Sequence, residues 1–200
     1  MRPTANRLVI FVKEPRAGRV KTRLGRDVGM TNSAWWFRHQ TARLLRSLTD
    51  PRWSLHLCIA PDTAISTRTF PAKITRHPQG HGNLGDRMRR AFHDIPPGPM
   101  LLIGSDVPGI TPDLIAQAFR TLGHKDSVFG PAPDGGYWLV GMKRQSRPLP
   151  AKLFHNVRWS TEHALADTLQ TLGPATIGYV AQLQDVDTLA DLKSLTKDTP

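Results

Sequence analysis

The sequence is short of sulfur and of acid. Of 200 residues only one is cysteine, Cys58, which excludes an internal disulfide framework and a multi-cysteine metal site. No stretch approaches the ~20 apolar residues of a membrane helix. The first apolar run, residues 8–12, is stopped by Lys13 and Glu14, so a signal peptide fits poorly and a cytoplasmic location is expected. Internal repeats, low-complexity tracts, a GxxxxGK[ST] loop and an HExxH pair are all missing. Acidic side chains number 16 against 27 basic ones, 19 of them Arg, for a net charge of +11. Residues 1–100 carry 18 basic and 6 acidic side chains, whereas residues 101–200 carry 9 and 10. Such a balance suits nucleic acid, an anionic membrane surface or a small phosphorylated substrate, and only position chooses among them.

What is present is an alternation of short apolar runs with amphipathic stretches. Apolar residues make up 39% of the chain, enough for one core and one domain spanning 1–200. Residues 7–12, 53–60, 73–78, 100–104, 126–130, 137–142 and 175–180 read as strands. Residues 84–93, 112–122, 161–172 and 188–195 read as helices, as does a segment capped at Thr31, Asn32 or Ser33 and ending near Leu48. Residues 13–30 hold Pro15, Gly18, Gly25 and Gly29 and read as a long polar loop. Residues 143–158 read as irregular or as a short helix. The alternation predicts an α/β fold with a mostly parallel sheet, and chemistry is then expected in the loops at the carboxyl ends of strands.

Four such loops carry suitable residues. The first places Lys13, Arg16, Arg19, Lys21 and Arg23 around Gly18, with Thr22 as a hydroxyl donor, as a phosphate cradle requires; the alternative is a solvated basic loop. The second puts Asp106 directly after the strand at 100–104, where a carboxylate suits Mg²⁺ or Mn²⁺, unless it only shapes a turn with Ser105. The third, with Asp134, Gly135 and Gly136, lines a ligand or simply turns a hairpin. The fourth holds Asp185 and Asp187. Asp187 is either a metal ligand paired with Asp106 or an N-cap for the closing helix. The eight His show no recognised ligand spacing, His39 and His163 read as surface or packing residues, and Cys58 reads as core. Trp35 and Trp36 cover the sheet or serve an interface.

The segments FVKEPRAGRVKTRLG (11–25), QGHGNLGDRMRRAF (79–92), LLIGSDVPGIT (101–111), VFGPAPDGGYWLVG (128–141), LFHNVRWST (153–161) and DVDTLADL (185–192) together resemble a family of small bacterial glycosyltransferase-like proteins. That family is also called radical-SAM/selenodomain-associated transferase 1 and was once a domain of unknown function. The resemblance extends more distantly to the molybdenum-cofactor nucleotidyltransferases and the 2-phospholactate guanylyltransferases. It implies a three-layer α/β/α sandwich of the nucleotide-diphospho-sugar transferase type. By that likeness Lys13, Arg19, Lys21, Thr22 and Arg23 hold the phosphates, with Lys21 and Arg23 also acting in catalysis. Asn83 and Arg87 lie near the nucleotide. Asp106 and Asp187, backed by Asp185, hold Mg²⁺ or Mn²⁺. Asp134, Gly135 and Gly136 line the acceptor or sugar pocket, with Asp134 orienting or deprotonating the acceptor.

The expected activity is glycosyl transfer from a nucleotide sugar to an acceptor the sequence does not identify. The runner-up is nucleotidyl transfer to a phosphorylated acceptor with release of pyrophosphate. A non-catalytic nucleotide- or nucleic-acid-binding protein is the third reading. Nucleic acid is disfavoured because no known module frames the basic residues. The sequence leaves the oligomeric state open.

Overall fold

The computed structural model describes residues 5–144 and 148–197. Among them, one sheet comprises β1 (Arg7–Lys13), β2 (Ser54–Ala60), β3 (Thr75–Pro78), β4 (Met100–Gly104), β5 (Ser127–Pro131), β6 (Tyr137–Met142) and β7 (Ile177–Tyr179). Their spatial order is β3-β2-β1-β4-β6-β5-β7. All pairings are parallel except those of β6, which runs antiparallel to both β4 and β5. The helices are α1 (Thr22–Val28), α2 (Met30–Ser47), α3 (Leu84–Asp94), α4 (Pro112–His124), α5 (Ala164–Thr171) and α6 (Leu189–Lys197).

Alternation along β1 separates the two faces of the sheet. Leu8, Ile10 and Val12 pack with Phe37, Leu44 and Leu45 of α2 and Ile115 and Ala118 of α4. Val9 joins Met88 and Phe92 of α3 and Leu172 beyond α5 on the other face. The result is the expected three-layer α/β/α sandwich. Cys58 is buried in that second layer, where burial pushes its thiol up to about 12, so it is a packing residue.

Two expectations need correction. Residues 13–30 are not all loop, because Thr22–Val28 forms α1. Gly25 hid that helix from the sequence pattern: a Cβ there would lie 2.6 Å from Met30 Sδ and 2.9 Å from Ser33 Oγ, so the glycine permits α1 to pack closely on α2. For the same reason α2 starts at Met30, with Gly29 rather than Thr31, Asn32 or Ser33 at its cap position. Ser33 is buried and donates to the Met30 carbonyl. The remaining expected elements differ only at their ends, where β3, β7 and α5 are each shorter. No helix forms among the described residues of 143–158.

The inner end of β2 carries a charge-sensitive contact. His56 is 6% exposed, with Nε2 3.1 Å from Ser54 Oγ and Nδ1 3.1 Å from His77 Nε2. Burial, then the neighbouring His77, Arg7 and Arg144, lower its pKa from 6.5 to about 4. Between those values the unfolded chain binds a proton that the folded chain does not. The contribution of His56 to stability should therefore fall as pH falls from 6.5 towards 4, by up to ~3 kcal/mol, and be constant below. Because other groups titrate in the same range, the test is the difference in urea-derived stability between parent and His56→Gln. That difference should shrink by the same amount as pH falls from 6.5 to 4; a difference independent of pH would exclude His56 from this role.

Candidate metal and nucleotide site

The chain moves outward from β1 to β2 and β3, then returns to place β4 on the other side of β1. The loops after β1 and β4 thus diverge at a topological switch point, the usual position for a ligand in an α/β sheet. β4 ends at Gly104, Ser105 is buried, and Asp106 follows. The segment before α6 meets this turn: the Val186 N–H donates to the Asp106 carbonyl at 3.4 Å, and the Val186 side chain is buried. Asp185 and Asp187 flank that anchored valine. Asp106, Asp185 and Asp187 each offer a carboxylate oxygen, and these lie within 4.8 Å of one another.

Asp187 does not cap α6. That work falls to Thr188 and Asp191: the Thr188 N–H donates to Asp191 Oδ2 at 2.7 Å, and the Asp191 N–H donates to Thr188 Oγ1 at 3.3 Å. Asp191 Oδ2 also accepts the Asp187 N–H, which fixes the backbone beneath the carboxylate.

Lys21 fills the centre of the cluster. It adopts φ 45°, ψ 47° at the start of α1, a left-handed conformation that costs a residue with a side chain of order 1–3 kcal/mol. Its side chain is 5% exposed, and Nζ lies 2.8 Å from Asp106 Oδ2, 2.7 Å from Asp187 Oδ1 and 3.8 Å from Asp185 Oδ2. Burial alone would lower the pKa of this ammonium. The Asp106 charge and the hydrogen bonds to Asp106 and Asp187 outweigh burial and raise it. Arg23 adds a contact from outside, Nη1 to Asp187 Oδ2 at 3.1 Å. Asp185 is pushed up to about 6, first by burial and then by Asp187, Asp106 and Asp134, against the lowering effect of Lys21. Three hard oxygen donors at this spacing suit a small divalent cation, which would have to take the place the ammonium now holds.

Two cavities meet at this cluster. The larger, about 590 Å³, brings together Lys13, Arg19, Thr22, Arg23, Asn83 and Arg87, with Lys21, Asp106 and Asp187 also in its wall. Asn83 spends its side chain locally: it accepts the Asp86 N–H while Asp86 accepts the Asn83 N–H, a capping box for α3. Arg87 Nε donates to the Gly82 carbonyl. Gln79 was missed by sequence reasoning. It is buried, and its amide donates to the carbonyls of Val12 and Cys58, bracing the ends of β1 and β2. The available signal was a polar residue directly after a strand at the same sheet edge.

The smaller cavity, about 220 Å³, lies against Asp106, Asp134, Asp185 and Gly136. Asp134 Oδ1 accepts the Gly136 N–H at 2.9 Å. Gly135 lines neither cavity. At φ 81°, a Cβ on it would lie 2.2 Å from the Glu162 carbonyl oxygen, so this glycine lets residues 161–165 cross the hairpin closely.

Replacing Lys21 by Met tests the central contact. Without metal, the variant leaves three clustered carboxylates uncompensated and should lose ~1–3 kcal/mol. In thermal melts, Mn²⁺ should raise the Tm of the variant by more than that of the parent, because no internal cation competes for the site. An equal or smaller rise would remove Lys21 from this role.

Comparison with known proteins places these features in a wider group. A family model described as an uncharacterized protein conserved in bacteria, DUF2064, matches residues 43–161. No curated protein matches. Among solved structures, a protein of Desulfovibrio desulfuricans G20, named provisionally as a nucleotide-diphospho-sugar transferase, is 30% identical, with 97% of this chain and 88% of that one covered and a TM-score of 0.83. Rv0371c of Mycobacterium tuberculosis H37Rv, solved with manganese, is 17% identical, with 98% and 100% covered and a TM-score of 0.58. The inositol-1-phosphate CTP transferase of T. maritima is 11% identical, with 96% and 93% covered and a TM-score of 0.59. The sandwich is therefore of the nucleotide-diphospho-sugar transferase type, and the match across more than half its length makes this chain a member of the DUF2064 family.

Proposed function

We propose that this protein is a metal-dependent transferase acting on a nucleotide donor, and that its reaction is glycosyl transfer from a nucleotide sugar. The observation that carries this reading is the position of Asp106 in the walls of both cavities, which sets the carboxylate cluster where a basic chamber meets a smaller one. The fold shared with the Desulfovibrio protein supports it, and the manganese complex of Rv0371c supplies a precedent for that ion on this fold.

In this reading Asp106, Asp185 and Asp187 hold Mg²⁺ or Mn²⁺. Such an ion, when bound, neutralises phosphate charge in donor and leaving group. Lys13, Arg19 and Arg23 bind the phosphates from the basic side, Thr22 donates a hydroxyl hydrogen bond, and Asn83 and Arg87 border the nucleoside. Lys21 gives its ammonium to the diphosphate as charge accumulates on it. Asp134, held by the Gly136 N–H, orients the acceptor hydroxyl and takes its proton. The acceptor oxygen then bonds to the anomeric carbon, while the bond from that carbon to the phosphate oxygen breaks. The electron pair leaves on the nucleoside diphosphate.

The test is a screen of nucleotide sugars and nucleoside triphosphates with Mg²⁺ or Mn²⁺, measuring both nucleoside diphosphate and pyrophosphate. Release of nucleoside diphosphate from a nucleotide sugar is expected. Pyrophosphate released from a triphosphate would instead assign nucleotidyl transfer, for which the same cradle would serve. Asp106→Ala should weaken metal-dependent nucleotide binding about 10-fold or more, the equivalent of one charged contact of ~1.5 kcal/mol. Unchanged metal dependence in calorimetry would exclude Asp106 as a ligand.

A further inference from the structure

Helix α2 carries no acid. Its 18 residues include Arg38, Arg43 and Arg46 but neither Asp nor Glu. Arg38 and Arg46 are separated by about 12 Å along the helix, with the short side chain of Ala42 between them. All three line a groove of about 760 Å³, whose opposite wall is the connection between β2 and β3. Arg68 lines the groove from that connection. No residue of its wall belongs to either cavity at the carboxylate cluster, so this groove is a separate feature of the molecule.

The connection is held in shape from the sheet. Arg76 of β3 donates through Nη1 to the carbonyls of Ile65 and Thr67, at 2.9 and 2.8 Å, and through Nη2 to that of Phe70 at 2.7 Å. The Thr69 N–H donates to Thr67 Oγ1 within the same turn. The groove is thus formed before any guest arrives, which lowers the cost of binding. Arg76 also lines it, and its Nε is buried without a partner. No carboxylate lines the groove. Arg38, Arg46 and Arg68 make no side-chain hydrogen bond or ion pair among the described residues. Elsewhere on this chain exposed guanidiniums are neutralised, Arg16 by Glu14, Arg52 by Asp50 and Arg158 by Asp167. The four guanidiniums around the groove repel one another, and no acid in its wall offsets that repulsion.

An anionic guest would supply the missing countercharge. Each uncommitted guanidinium presents five N–H donors in a planar fork, about fifteen over the three, whereas one carboxylate offers about four acceptor positions. A single small anion leaves most of these donors unserved, so the matching guest carries several oxyanion oxygens. Phosphate groups bring three acceptor oxygens and close to two charges each, and the guanidinium fork fits them bidentately. Between the cations the floor is apolar, formed by Ala42 with buried Leu45 and Phe70, and suits a carbon skeleton. The volume falls within the ~300–1,000 Å³ of small-molecule sites. We propose that this groove is a second anion site, which binds a small organic molecule bearing two or more phosphate groups through Arg38, Arg46 and Arg68. The proposal is independent of the transferase reading, because no residue of the carboxylate cluster takes part in it.

Calorimetry on the full chain tests this, in EDTA to withhold metal from the aspartates and at constant ionic strength. The probes are inorganic tripolyphosphate and glucose 1,6-bisphosphate, with sulfate and citrate as anions of other chemistry. Arg19→Gln/Arg23→Gln serves as the background, because it removes two competing cations from the basic chamber. At least one phosphate probe should still bind this background saturably. Adding Arg46→Gln or Arg68→Gln should then weaken that binding about 10-fold or more, as expected for loss of a charge-assisted hydrogen bond. The replaced side chains are exposed, and thermal melts check that each variant is folded. Should the background not fold, the same groove substitutions in the parent chain, read as loss of one binding equivalent, carry the test. No saturable binding, or binding that the groove substitutions leave unchanged, would overturn the proposal. So would sulfate or citrate binding as tightly as the phosphates, which would reduce the groove to unselective charge. Single-stranded oligouridylate or phosphatidylglycerol vesicles binding through these arginines, where the small probes do not, would also overturn it and mark a polyanion surface instead.

Discussion

The contact between the Lys21 ammonium and three aspartates is the constraint on which the rest of this site depends. Carboxylates whose oxygens lie within 4.8 Å repel one another strongly unless a cation stands among them. Much of the local architecture delivers that cation. The left-handed turn at Lys21 aims the side chain inward, and Gly25 lets α1 rest against α2. Buried Val186 and the Thr188–Asp191 cap fix the opposing carboxylates. A lysine in this place satisfies the metal-free protein and also stands in the wall of the basic cavity.

Legibility in the sequence followed the range of each interaction. The strands and most helices were readable because local periodicity and caps encode them, as with Thr111 accepting the Leu114 N–H at the start of α4. Asp106 was readable because it directly follows an apolar run, and Asp187 because a second acid sits two residues before it. Helix α1 was not, since the reason for Gly25 lies in α2 rather than in its own neighbours. Nor does any local signal reveal that Lys21 turns toward aspartates more than eighty residues away, or that Gln79 ties two strands. Residues 143–158 read as irregular or as a short helix because the geometry of their later part is set by contacts with α5 and α3, which are not in the local pattern. The adjacent glycines were half legible: Gly135 is required by the close passage of Glu162, whereas Gly136 holds Asp134.

The basic excess also divides once its partners are known. Arg76 donates to the carbonyls of Ile65, Thr67 and Phe70, and Arg144 to those of Gly98, Phe92, Ile95 and Pro96. Arg90 does the same for Gln79 and His81. These guanidiniums supply donors to carbonyls of loops and of the last turn of α3, so each is a structural brace. Net charge therefore overstates the surface available to a polyanion. The part that lines one cavity wall, and that the proposed function assigns to phosphate, is the cluster from Lys13 to Arg23, with Arg87 across the cavity.

The reversed direction of β6 has one more consequence. Because β6 runs against its neighbours, its first residues, Tyr137 and Trp138, arrive at the same edge as the carboxyl ends of β1 and β4. The basic chamber draws mainly on residues 11–37 and 79–87, the aromatic pocket mainly on residues 132–164. Asp106, with Phe11, Leu84 and Gly104, stands on the boundary between them. The two recognition tasks are thus written largely in separate stretches of one polypeptide. In the proposed transferase, substitutions in the later stretch would alter what is transferred or received while the earlier stretch kept its grip on phosphate, an arrangement that would let one small scaffold diversify its chemistry by changing half of itself.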